Sequence, residues 1–212
     1  MNYIKMAERA LKILHRSLPE LGMGNDLLFV PPVEHVLRCF VFEPDFRTKG
    51  AVCFWRVVMP LYRPPTYLIL NYADRLLGGE KVSVLEPDLP QTVDRLVRVV
   101  SQGELDYLKG IQTPQDFLQK IDWSSLPSSP NYRMDLALTH YMAGNVPACR
   151  EILEGVVSAK LSPRWAKIVR LAQEMVEELK ADPSALARRI EGWEAINIGW
   201  FRLESRRGRK PQ

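Results

Sequence analysis

The side chains best suited to chemistry in this 212-residue chain are three histidines (His15, His35, His140), three cysteines (Cys39, Cys53, Cys149) and a few carboxylates and arginines clustered between 43 and 75. Zinc needs nitrogen and sulfur ligands at short, recurrent spacings, as in HExxH or a C-x₂-C pair with distant histidines. None of the three histidines sits beside another ligand type at such a spacing. His140, next to Tyr141, therefore reads as a packed, hydrogen-bonded side chain. The cysteines are odd in number, form no CxxC pair and each lies inside an apolar run, so they read as small buried groups and not as a disulfide framework. Gly78-Gly79-Glu80-Lys81 lacks the spacing that cradles a phosphate, and the chain has no GxGxxG, Gly-Lys-Ser/Thr or GxSxG motif. The sequence thus assigns no catalytic residue, no cofactor and no metal ligand.

What remains is a polar set at the ends of apolar runs: Asp45, Arg47 and Lys49, then Tyr62 and Arg63, then Asn71, Asp74 and Arg75. Arginine beside tyrosine is the composition favoured at binding hot spots. Tyr62 and Arg63, bent outward by Pro64-Pro65, are expected to form an exposed patch, with Arg47, Asp74 and Arg75 as further candidates for binding a partner. An enzyme of unrecognised class using Asp45, Arg47 or Asp74 would need these groups to converge in a cleft. Pro44-Asp45 before a strand resembles the opening of a nuclease-type magnesium site. The strand that follows, 51–61, holds neither the acidic residue nor the lysine that such a site needs.

The charge of +4 has a local origin. Arg206, Arg207, Arg209 and Lys210 supply four of the 29 basic residues, leaving 25 against 25 acidic ones. The body is formally neutral, and a DNA-binding face is not implied. Residues 205–212 read as a basic disordered tail, the one place where nucleic acid or an acidic partner could be met. Lys5, Glu8, Arg9 and Lys12 interrupt any apolar core of a signal peptide, and no stretch approaches 18 uninterrupted apolar residues. A cytoplasmic location and no membrane association are expected.

The elements that must position these groups divide into an α+β domain (1–122), a linker (123–130), a helical module (131–204) and the tail. Ile4, Ala7, Leu11, Leu14 and Leu18 share one face of a helix that Pro19 and Gly22 end. Apolar, β-branched and aromatic runs at 36–42, 51–59 and 67–72 predict an antiparallel meander, packed on one face by that helix, with a short extra strand at 82–85. A helix carrying Val93, Leu96, Val97 and Val100 closes at Gly103. Thr113-Pro114-Gln115-Asp116 starts another, with Thr113 as its cap. The linker, Trp123-Ser-Ser-Leu-Pro-Ser-Ser-Pro130, is rich in turn formers and nearly free of charge.

Four antiparallel helices are expected beyond it. Ser129 is placed to cap the first, whose Leu136, Ala137 and Tyr141 point inward before Gly144-Asn145 stop it. The second carries Cys149, Ile152, Leu153 and Val156 on one face. The others start at Ser162-Pro163 and Asp182-Pro183. Leu136-Ala137, Tyr141, Gly144, Cys149, Leu153 and Val156 resemble a tetratricopeptide (TPR) unit over 131–160, with small residues at the helix crossing and a glycine in the turn. That resemblance implies a binding scaffold. The chain is therefore expected to be a non-enzymatic interaction protein or accessory subunit of a cytoplasmic complex that binds another polypeptide. An immunity-type antagonist of a toxin and an enzyme of unrecognised class are the alternatives.

Overall fold

The computed structural model of the chain describes residues 3–65, 67–85 and 88–203. It has the expected α+β architecture, with a six-stranded sheet and a predominantly helical C-terminal half. Two compact units are present. One comprises Met1–Met59, Tyr67–Gly110 and Ile198–Gln212; the other comprises Pro60–Thr66 and Ile111–Asn197. The change of unit falls at Gly110, so the Ser/Pro-rich segment 123–130, expected as the boundary, lies inside the second unit. It is packed there: Trp123 stands edge-on to Phe117 at 5.5 Å, and its Nε1 donates to the Leu118 carbonyl at 3.0 Å.

The sheet of the first unit contains β1 (Gly22–Met23), β2 (Leu27–Phe29), β3 (Val36–Pro44), β4 (Ala51–Pro60), β5 (Ala73–Arg75) and β6 (Lys81–Ser83). They are ordered β1-β2-β3-β4-β5, with β6 also paired to β4. Along one edge of β4, Ala51–Cys53 pair antiparallel with β6 and Trp55–Val57 with β5. Helix α1 (Tyr3–Ser17) packs on β2 and β3, burying Ala7, Ala10, Leu11 and Leu14 as its heptad-like spacing predicts. Helices α2 (Leu89–Val99) and α3 (Leu105–Lys109) adjoin the sheet at β6 and β3. Gly103, expected to close the helical region, instead bends it within a π-type turn at φ 125°, and helix resumes at Leu105.

The predicted third strand is corrected. Residues 67–72 are irregular, and the strand is the three-residue β5 that follows a turn at Asn71-Tyr72. The chain has just returned from residues 60–66 of the other unit, and Tyr72 is where it regains β4, its carbonyl accepting from the Val58 N–H at 3.0 Å. An apolar run of high β-propensity forms no strand without a neighbour to pair with. β1 and β2, too short to carry a periodic signal, extend the sheet beyond the expected strands.

The helical unit contains α4 (Pro114–Lys120), α5 (Pro130–Met142), α6 (Val146–Ser158), α7 (Ala166–Ala181) and most of α8 (Pro183–Phe201). Successive helices from α4 to α7 are in contact. Thr113 caps α4 in a reciprocal box with Asp116. Ser129 makes no side-chain cap to α5, contrary to expectation, although Pro130 occupies the first turn. Gly144, at φ 81°, makes the α5–α6 turn, and Asn145 caps α6 by accepting from the Ala148 N–H at 3.2 Å. The inward face of α5 also departs from expectation. Leu136 and Tyr141 are only half-buried, while Met134, Asp135, Leu138 and Thr139 are buried.

Candidate functional site

The residues between β3 and β4 form a loop whose shape is set by backbone and carboxylate hydrogen bonds. Asp45 N–H donates to the Ala51 carbonyl at 2.9 Å, closing the hairpin, and Ala51 N–H donates to the Thr48 carbonyl at 3.1 Å. The Asp45 carboxylate accepts from the Arg47 N–H at 3.1 Å and from Lys81 Nζ at 2.5 Å. The Lys81 hydrogen bond, followed by the Arg47 backbone N–H and the Thr48 hydroxyl, lowers the Asp45 carboxyl to about 2. Gly50 supplies a left-handed corner at φ 72°, and the Leu85 side chain fills the space a Cβ would occupy. So fixed, the loop holds Phe46 at 93% exposure.

Beside it lies an open cleft of about 340 Å³, lined by Glu43, Asp45, Phe46, Arg47, Cys53, Arg75 and Lys81, all in the first unit. Strand alternation explains the lining. Cys53 and Trp55 lie on one face of β4, and the register sets Lys81 opposite Cys53 and Arg75 opposite Trp55. Arg75 lies over the Trp55 indole with 4.7 Å from its guanidinium carbon to the ring centre. Trp55 Nε1 in turn donates to Glu43 Oε2 at 3.0 Å, and Arg75 Nη2 stands 3.6 Å from the same oxygen.

The same alternation splits the expected polar set. Asp74 is opposite Arg56, on the other face of the sheet from Arg75, and pairs with Arg56 Nη2 at 2.5 Å. Arg56 also binds Glu104 at 2.6 Å and lies 3.7 Å from the centre of the Tyr107 ring. Burial raises the Tyr107 hydroxyl, with the Arg56 charge acting in the opposite direction. Arg47 and Arg75 thus share the cleft with Asp45, and Asp74 does not.

Tyr62 and Arg63 are not the exposed patch that Pro64-Pro65 suggested. Tyr62 is fully buried in the helical unit. Thr139 Oγ1 donates its proton to the Asp135 carbonyl at 2.6 Å, so the Tyr62 hydroxyl is the donor to Thr139 Oγ1 at 2.9 Å. Burial pushes the Tyr62 hydroxyl well up. Arg63 Nη1 pairs with Asp135 Oδ2 at 2.7 Å, and Asn197 Nδ2 donates to the carbonyls of Leu61 and Arg63 at 2.8 and 3.1 Å. The physical reason for the reversal is that Leu61 and Tyr62 are buried in the helical unit, where the Tyr62 hydroxyl and the neighbouring Arg63 charge find partners on α5. One signal was present in the sequence: Asp135 and Thr139 lie four apart, on the same helical side as Leu138.

The other candidate positions, Arg206, Arg207, Arg209 and Lys210, lie outside the described residues. Among the described residues no three His, Cys, Asp or Glu side chains are grouped to hold a metal ion. Cys39, Cys53 and Cys149 are unpaired and buried, and burial raises the Cys149 thiol to about 12 and the Cys39 thiol further still. No helix among the described residues is long and apolar enough to cross a membrane. Phe46, Trp55, Glu43 and Lys81 were not singled out by the sequence, because only the β4–β5 and β4–β6 registers bring them together.

Fold and cleft together define an α+β protein of two units with a preorganised loop on its sheet. Comparison with known protein families, with curated proteins and with solved structures finds no match to this chain.

Proposed function

We propose that this chain is a non-enzymatic interaction protein, an accessory subunit of a cytoplasmic complex, that meets its partner polypeptide through the β3–β4 loop. The observation that carries this reading is Phe46, a large apolar side chain 93% exposed on a loop held by the hydrogen bonds of Asp45. An aromatic group kept in water on a fixed loop, with arginine next to it, has the composition of a binding hot spot. The low entropy cost of docking a preformed loop favours the same role. Asp45, held ionised by Lys81 at neutral pH, is a poor proton acceptor there, which favours recognition over acid-base catalysis. The unpaired thiols of Cys39, Cys53 and Cys149 fit a reducing compartment.

The test is affinity capture from the protein's own host with the intact chain and with Phe46→Ala. Because Phe46 is almost wholly exposed, the substitution should leave the thermal melt unchanged while removing the captured partner. A partner retained equally by wild type, Phe46→Ala and Phe46→Asp would refute the assignment of the loop.

A further inference from the structure

We infer that the β3–β4 cleft receives an acidic segment of the partner polypeptide, with a carboxylate entering between Arg47 and Arg75. This rests on the partner-binding reading of the same loop and adds the chemistry of what is bound. The two carboxylates of the cleft are already engaged: Asp45, with 12% of its side chain exposed, by Lys81 and the Arg47 N–H, and Glu43 by Trp55 Nε1. Glu43 keeps 43% of its side chain exposed, and the lining sets three positive side chains, Arg47, Arg75 and Lys81, against the two carboxylates. Arg47 and Lys49 are exposed and form no ion pair among the described residues. Arg75, 49% exposed, pairs with Glu43 only at 3.6 Å, longer than a hydrogen bond.

The Trp55 indole beneath Arg75 restricts the guanidinium before any ligand arrives. A planar fork of N–H donors fits a carboxylate better than a point charge would. Phe46 adjoins Arg47 and offers an apolar contact for the residue next to the acid. A nucleic-acid backbone suits the cleft less well, since a pocket of about 340 Å³ has no room for a continuous row of phosphates. The volume of about 340 Å³ lies at the small end of the range for ligand pockets, roughly 300–1,000 Å³, and suits single side chains of a peptide.

The experiment titrates the full chain, by calorimetry at low and high salt, with three probes. They are the acidic peptide acetyl-Glu-Leu-Asp-Glu-Leu-amide, its counterpart with lysine at each acidic position, and an oligothymidylate. The acidic peptide is expected to bind and to weaken with salt. The double variant Arg47→Ala/Arg75→Ala should lose about tenfold in affinity, with its thermal melt unchanged. Absence of binding by the acidic peptide, equal binding of the lysine peptide, preference for the oligonucleotide or an unaffected double variant each overturns the inference. The two readings fail separately: a natural partner lost with Phe46→Ala but retained by the arginine double variant would leave the interaction standing and remove its acidic character.

Discussion

Arg63 and Asp135, 72 residues apart in the chain, meet as an ion pair at 2.7 Å inside the helical unit. Their side chains are 11% and 2% exposed, so both charges are largely withdrawn from water. Removing Arg63 takes away the guanidinium that Asp135 Oδ2 meets at 2.7 Å, and breaking a buried pair costs more than the pair itself contributes. Arg63→Ala should therefore destabilise the protein by about 3–5 kcal/mol in guanidinium denaturation. Tyr62→Phe, which removes a hydroxyl hydrogen bond while keeping the ring, should cost only about 1 kcal/mol. If Arg63→Ala proved as mild as an exposed substitution, the pair would not be buried as described.

Gly50 links stability to the loop that presents Phe46. Its φ of 72° lies in the left-handed region, which costs a residue with a Cβ roughly 1–2 kcal/mol, and the Leu85 side chain occupies the site of that Cβ. Gly50→Ala should lower the melting temperature and weaken partner capture together. Gly78→Ala also acts at a positive φ, 64°, but meets no atom within 4 Å; it should cost less stability and leave capture intact. Differential scanning calorimetry of both variants checks the order.

The Asp45–Lys81 pair predicts a pH dependence with a definite sign. The ordinary value of the Asp45 carboxyl is 3.8 and the folded value about 2, so between these the unfolded chain binds more protons than the folded one. The stabilisation is fully present above about pH 4 and disappears as the pH falls through about 2. Asp45→Asn should lower the melting temperature at pH 7, and the gap from wild type should close on acidification through that window. A gap independent of pH from 7 to 2 would refute the assignment. Because Asp45 is near the surface, the effect should also shrink in high salt.

The amphipathic helices were readable because their burial follows a 3.6-residue period: α1 buries Ala7, Leu11 and Leu14, and α6 buries Cys149, Leu153 and Val156. Strands β3 and β4 were readable from their apolar and aromatic runs. Tyr67–Tyr72 misled because apolar content specifies neither burial nor a pairing edge, and Tyr67 stays 87% exposed; Tyr62-Arg63 misled because a Pro-Pro bend looks the same on a surface and in a core. On α5 the expected inward face of Leu136, Ala137 and Tyr141 left out the polar Asp135 and Thr139, which turn inward to meet Arg63 and Tyr62. The cleft was half legible. Arg47 and Arg75 were named from composition, but their company with Trp55, Glu43 and Lys81 is a matter of register, which a single sequence does not display.

The route of the chain has a consequence for how this protein could be divided. Neither unit is encoded by one continuous stretch of gene: the sheet unit comprises three separate segments and the helical unit two. A cut at the Ser/Pro-rich segment 123–130 would separate Asp135 and Thr139 from Arg63 and Tyr62, stranding charge and hydroxyl alike on both fragments. A single cut through the gene therefore yields neither unit whole.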